Sequence, residues 1–286
     1  MIINFFKNMK SSLNINQLSS KKSFNINGYL FEYDKPQVMG ILNMTPDSFY
    51  DGGKYNSLDS AISMVEGMIN DGASMIDIGG CSTRPGSESI SIEEEWQRVN
   101  GIIKECSNRF KDILFSVDTF RSEVARRSLE EGIDIINDVS GGNYDKKMFD
   151  VISKYNCPYI LMHLKGTPKD MMTKANYEDL ILDLIHYFRK KINKLNSLGI
   201  NDIILDPGFG FAKDFDQNFE ILRNLNSFNV FDLPILVGLS RKSFVKKKYG
   251  IENSLEGTLE LNKIAIENGA EIIRVHDVKE HIRLIK

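Results

Sequence analysis

From residue 37 to its last residues, the chain repeats one two-part unit eight times: a short apolar, β-branched run, then a stretch with apolar residues at helical spacing. The runs predict strands over 37–42, 74–78, 113–117, 133–136, 159–162, 202–205, 235–237 and 271–275. The stretches between and after them predict helices over 58–70, 92–106, 120–130, 146–155, 177–198, 217–226, 255–268 and 279–285. Ser91 with Glu94 marks a capping box at the second helix. Gly72, Gly132, Gly199 and Gly269 stand where helices should end and feed the next strand. Eight even β-then-α units lead to an α/β fold, a TIM (β/α)8 barrel, over a doubly wound open sheet.

Ahead of the repeat, Phe24-Asn25-Ile26 and Tyr29-Leu30-Phe31 flank Asn27-Gly28, the signal for a two-residue hairpin turn. The expectation is an N-terminal β-hairpin that plugs one end of the barrel. Residues 1–23, rich in Ser, Asn and Lys, read as a flexible leader, and 24–286 as one domain. At 286 residues with 42% hydrophobic content, a single large core is affordable. A net charge of −3 gives no general attraction to nucleic acid or anionic membrane. No apolar run is long enough to span a bilayer, and no secretory signal is recognisable, so a cytoplasmic protein is expected. Cys81, Cys106 and Cys157 lack metal-like spacing and fit reduced thiols.

A barrel turns the carboxyl ends of all its strands to one face, where ligands bind. Here those ends read Asn43, Gly79-Gly80, Asp118, Asn137, His163, Asp206, Ser240-Arg241-Lys242, and Arg274 with His276. Taken singly, Asp206-Pro207 reads as a turn opener, and Asp118 and Asn137 as helix caps. Capping does not explain Lys242, Arg274 and His276, because cations are disfavoured at helix N-termini. A shared ligand site explains all of them. Asp118, Asn137 and Asp206 suit a flat heterocycle with an amino-pyrimidine edge, while the cations and Asn43 suit a phosphate or diphosphate with a metal ion. Residues 43–53 and 79–87, rich in Gly, Pro and Ser, have the composition of catalytic lids.

With these residues in view, the chain resembles the dihydropteroate synthases from about Asn27 onward. The resemblance rests on Asn43-Met44-Thr45-Pro46-Asp47-Ser48-Phe49, Thr83-Arg84-Pro85-Gly86, Ser116-Val117-Asp118-Thr119 and Ile136-Asn137-Asp138-Val139-Ser140-Gly141. It continues in Asp206-Pro207-Gly208-Phe209-Gly210-Phe211, Ser240-Arg241-Lys242-Ser243-Phe244 and Arg274-Val275-His276-Asp277. The implied reaction joins 4-aminobenzoate to 6-hydroxymethyl-7,8-dihydropterin diphosphate, giving dihydropteroate and diphosphate in folate synthesis. The resemblance implies Mg2+ at Asn43 and a pterin held by Asp118, Asn137, Asp206 and Lys242. It places Thr83, Arg274 and His276 on the diphosphate side, and Arg84, Pro85 and Ser243 at the 4-aminobenzoate subsite. Lys242, Asp206 and Arg274 are the catalytic candidates, and a homodimer is implied.

Cys81, Ala212 and the stretch Leu259-Glu260-Leu261-Asn262 depart from the usual pattern, where Glu, Gly and an alanine-rich run are common. None of them removes a substrate residue. A pterin-dependent methyltransferase acting on a corrinoid protein shares the pocket type but has no diphosphate to stabilise. A non-catalytic pterin binder would be expected to lack some of Asn43, Asp118, Lys242 and Arg274. A generic phosphate-binding barrel leaves Asp118, Asn137 and Asp206 unexplained. His163 is expected at the barrel mouth, and His186 and His281 on helix surfaces.

Overall fold

Alternation along each strand sorts this chain's side chains into two cores and an upper polar ring. A computed structural model describes residues 22–26, 28–44, 54–82, 90–167 and 170–285. The hairpin comes first, β1 (Lys22–Ile26) paired antiparallel with β2 (Tyr29–Tyr33). Its ladder takes in residues 22 and 23, two positions earlier than the expected end of the leader. Ile26 pairs with Tyr29 across the two-residue turn, where Gly28 has φ 90°.

Eight parallel strands follow: β3 (Gln37–Asn43), β4 (Met75–Gly79), β5 (Leu114–Asp118), β6 (Ile135–Asp138), β7 (Tyr159–Met162), β8 (Ile203–Asp206), β9 (Leu236–Val237) and β10 (Ile272–Val275). Their order is β8-β7-β6-β5-β4-β3-β10-β9. The ring closes between its two ends at a single parallel bridge, Leu205 to Ile235, with Leu205 N–H donating to Pro234 O at 2.8 Å. The fold is the TIM barrel with its N-terminal hairpin.

Around it stand α1 (Lys54–Asp71), α2 (Ile92–Arg109), α3 (Ser122–Glu130), α4 (Met148–Tyr155), α5 (Leu180–Ser197), α6 (Phe215–Arg223), α7 (Ser243–Tyr249), α8 (Ser254–Glu267) and α9 (Val278–Ile285). Ser91 caps α2 by accepting from Glu94 N–H at 3.0 Å, while the Glu94 carboxylate turns to Arg98 at 2.7 Å. A complete capping box occurs instead at α6, between Asp214 and Gln217. The predicted glycines all take positive φ, from 81° at Gly199 to 108° at Gly72.

Outward residues such as Ile76, Ile78, Ile136, Ile203, Leu205 and Ile273 pack under the helices. The alternate residues Met39, Met75, Ile135, Ile160, Ile204, Leu236 and Ile272 fill the lumen, where Phe24, Ile26 and Tyr33 of the hairpin join them. Asn25 N–H donates to Asp202 Oδ1 at 2.7 Å and fastens the plug to the chain entering β8. Phe24, only 2% exposed, anchors it. Phe24→Ala should therefore cost about 3 kcal/mol of unfolding free energy, read as a shifted urea midpoint. An unchanged midpoint would mean the plug is dispensable.

One sequence expectation is corrected. His281 is fully buried, not on a helix surface. It stands three residues after Val278 on the inner face of α9, where Nδ1–H donates to Asp277 O at 2.6 Å and Nε2 accepts from Asn262 at 2.9 Å. Asn262 belongs to the stretch that departs from the alanine-rich pattern, so that departure has a buried partner. His186 is exposed, as expected.

Candidate active site

Above the apolar floor of the lumen, the inward positions turn polar. Two residues beyond Met75, Asp77 is fully buried. It accepts from the Ser116 hydroxyl, from Asn137 Nδ2 at 2.9 Å, and from Arg274 Nε at 2.5 Å. Arg274 also donates through Nη2 to Asp118 Oδ2 at 3.0 Å, so one guanidinium joins carboxylates from β4 and β5. Strand register produces this meeting, because Asp77 pairs with Ser116, Gly79 with Asp118, and Asp118 with Asn137. A Cβ on Gly79 would lie 3.5 Å from Asn43 Oδ1 and 3.6 Å from Asp118 Cβ, so these two side chains flank the bare backbone between them.

Asp118 Oδ1 is buried with no hydrogen-bond partner. Burial, then the negative charge of Asp77, push the Asp118 carboxyl up to about 7 against the pull of Arg274. Asn137 is 3% exposed and is held by Asp77. Its neighbour Asp138 points outward and ties the next turn, accepting from Ser140 N–H, Gly142 N–H and the Tyr159 hydroxyl.

Asp206 ends β8, is 8% exposed, and accepts from Gly208 N–H at 2.7 Å. Burial raises its carboxyl, opposed first by Lys242. Lys242 precedes α7, donates to Phe209 O and lies 4.6 Å from the Phe211 ring centre. Its stem runs beside Gly210, where a Cβ would come within 2.9 Å of Lys242 Cδ. Burial lowers its ammonium to about 8. Ser243 opens α7 and is exposed. At the end of β10, His276 N–H donates to Ser240 Oγ at 3.2 Å, and the hydroxyl meets His276 Nδ1 at 2.9 Å. If the hydroxyl donates to Nδ1, the proton of the neutral ring is on Nε2.

The structure thus brings together Asn43, Asp118, Asn137, Asp206, Lys242, Ser243, Arg274 and His276 at one end of the barrel. Thr83, Arg84 and Pro85, with most of the two expected lid loops, lie outside the described residues. Arg241 turns away from the site and pairs with Asp277 at 2.9 and 2.5 Å. Ala212 has φ 48°, which gives the physical reason a glycine suits that position. Cys81 is half-buried, and burial raises its thiol, as it raises those of Cys106 and Cys157 to about 12, so none is an activated nucleophile.

Two participants escaped the sequence reading. Asp77 has a legible signal, a lone charge at an inward position of an otherwise apolar strand. Lys213 is 2% exposed and lies behind Asp206. Among the described residues no three His, Cys, Asp or Glu side chains form a metal cage. Asn43 offers one amide oxygen beside the carboxylate of Asp118, which fits a Mg2+ ion that takes most of its ligands from phosphate and water.

The profile of the family described as pterin binding enzyme matches residues 39–276. The dihydropteroate synthase of Synechocystis is 43% identical over 263 residues, covering 90% of this chain and 91% of that one. A crystal structure of Yersinia pestis dihydropteroate synthase with a sulfonamide drug complex superposes with a TM-score of 0.85 at 40% identity, covering 92% and 96% of the two chains. The Xanthomonas albilineans dihydropteroate synthase solved with 4-aminobenzoic acid gives a TM-score of 0.85 at 32% identity, again covering 92% and 96%.

Proposed function

This chain belongs to the dihydropteroate synthase family of pterin-binding enzymes, and on that premise we propose how the residues at its barrel mouth divide the work. It joins 4-aminobenzoate to 6-hydroxymethyl-7,8-dihydropterin diphosphate, forming 7,8-dihydropteroate and diphosphate in folate biosynthesis.

The buried, unpartnered Asp118 Oδ1 carries the assignment of the pterin subsite. An amino-pyrimidine edge presents adjacent N–H donors, and Asp118, Asn137 and Asp206 line the same mouth to receive them. A buried acceptor without a donor costs about 1–3 kcal/mol, which a bound pterin recovers. Lys242, held against Phe209 O and the Phe211 ring, closes the far side.

Arg274 commits Nε and Nη2 to carboxylates, which leaves Nη1 to meet a phosphate oxygen. His276 lies on the same strand end, and Thr83 is assigned to the diphosphate side with it. Mg2+ held at Asn43 would neutralise charge on the diphosphate. Heterolysis at the exocyclic methylene leaves a cation that the dihydropterin ring delocalises, and the Asp206 carboxylate balances it. The arylamine then attacks without an activated base. Arg84, Pro85 and Ser243 border its subsite, and closure over it keeps water from capturing the cation.

The reading extends to a homodimer formed through barrel helices and to a cytoplasmic setting. Three free thiols support a reducing compartment, and no helix among the described residues is long and apolar enough to cross a membrane. Purified protein should release diphosphate and form dihydropteroate only with both substrates present, and chelation of Mg2+ should suppress turnover. A folded preparation that makes no product from both substrates contradicts the assignment.

A further inference from the structure

Lys213 is a cation almost wholly removed from water, and none of the roles above uses it. Its Nζ lies 3.0 Å from His163 Nδ1, 3.0 Å from Gly208 O and 2.9 Å from Phe211 O. An ammonium has three protons and accepts nothing, so this set takes all three. His163 Nδ1 is then the acceptor, which places the ring proton on Nε2 and keeps the imidazole neutral. Burial, followed by the nearby charge of Lys213, holds His163 well below its ordinary pKa, in agreement with a neutral ring.

Both carbonyls belong to the turn that leaves Asp206. Gly208 serves the two charges together, giving its N–H to Asp206 Oδ1 and its carbonyl to Lys213. We propose that Lys213 is a positioning residue of the pterin site: with His163 it fixes the turn that orients Asp206, and its buried charge keeps that carboxylate ionised for the ligand. The proposal rests on the reading of the barrel mouth as a pterin site.

The groups that face this pair are few. Asp206 approaches from β8 and Lys242 from ahead of α7, while Arg274 on β10 bears on Asp206. Lys165 acts on His163, against which the Tyr177 and Tyr187 rings pack at 6.1 and 4.7 Å. Burial brings Lys213 down to about 7, Asp206 acting to raise it and Lys242 to lower it. Burial raises Asp206, and Lys213 is among the charges that lower it again. Removing the Lys213 charge therefore raises Asp206 further, and binding that needs the carboxylate fails at a higher pH as the solution is acidified.

The test is fluorescence titration with 6-hydroxymethylpterin between about pH 5 and 7.5, beside steady-state kinetics of the same proteins. Lys213→Met should weaken pterin binding about tenfold near the acidic limb and move that limb up by about one pH unit, leaving the KM for 4-aminobenzoate in place. In an Asp206→Asn background, Lys213→Met should move it no further, which separates this effect from the titration of Asp118. His163→Leu removes one acceptor and keeps the lysine, so the limb should move the same way by less, and this variant carries the test if Lys213→Met does not fold. A limb unmoved in both, or one that moves equally without Asp206, overturns the proposal. Misfolding of both variants also overturns it, because the pair would then belong to the core. Failure of the unsubstituted protein to bind the pterin at any pH would instead overturn the reading of the site.

Discussion

Arg274→Ala is expected to lower kcat/KM for the pterin diphosphate by about three orders of magnitude, the largest loss from a single side chain at the barrel mouth. The guanidinium holds Asp77, which is fully buried, and Asp118, whose carboxyl is already raised by burial and by the charge of Asp77. Without it two carboxylates face each other in a dry lumen, and Asp118 rises further. The protonated form of Asp118 then persists to higher pH, so pterin affinity falls and recovers only in more alkaline solution. The phosphate side loses the Nη1 donor at the same time. Stability should fall by about 3–5 kcal/mol, because the substitution breaks a buried pair and leaves one partner in place. Kinetics with each substrate varied in turn, with urea unfolding of the same preparation, separate the two losses. Arg274→Lys should restore part of the stability and little of the turnover, since a point charge cannot span both carboxylates. Turnover within about threefold of the parent in Arg274→Ala would remove Arg274 from the site.

Gly208→Ala is the second large effect, and it acts through the backbone. Gly208 has φ 74°, and a Cβ there would stand 2.2 Å from His163 O. Left-handed backbone alone is tolerable in this turn, since Ala212 adopts φ 48° at a cost of about 1 kcal/mol. The overlap with a strand-end carbonyl is not, because neither backbone can yield without pulling β7 from β8. A loss of about 4 kcal/mol is expected, with pterin binding weakened in whatever folded protein remains, as the Gly208 N–H leaves Asp206. Thermal unfolding and pterin titration of the variant measure both, and an unchanged melting temperature would show that the turn is looser than drawn.

The barrel and the rim of its site were legible in the sequence because their signals are local. Most of the apolar runs stop at a polar residue within one or two positions, and barrel geometry then gathers the stops without any knowledge of distances. Asn43, Asp118, Asn137, Asp206, Lys242 and Arg274 were found in that way. What escaped depends on closure of the ring. Asp77 looks like an interruption of β4 until Arg274, 197 residues later, is brought beside it. Lys213 gives no signal in the sequence, since nothing adjacent reveals that His163 and two carbonyls surround it. The short helix α7 was missed because Lys246, Lys247 and Lys248 resemble an exposed loop, although those cations suit the last turn of a helix. His281 was misplaced because histidine is usually solvated, although Val278, Ile282 and Ile285 at helical spacing mark the face it shares.

The ring of strands is joined least firmly between β8 and β9, where one bridge at Leu205 and Ile235 replaces a ladder. Local opening starts where the fewest backbone bonds must break, so the barrel is expected to open first, and to exchange its amide protons fastest, at this seam. Asp206 stands at one lip of the seam and Lys242 follows the other. A ligand gripped by both spans the gap as a stitch, adding its own binding free energy to the weakest join in the wall. Substrate occupancy and resistance to unravelling are thereby the same event viewed from two sides, and the empty enzyme is the form most open to proteolytic attack.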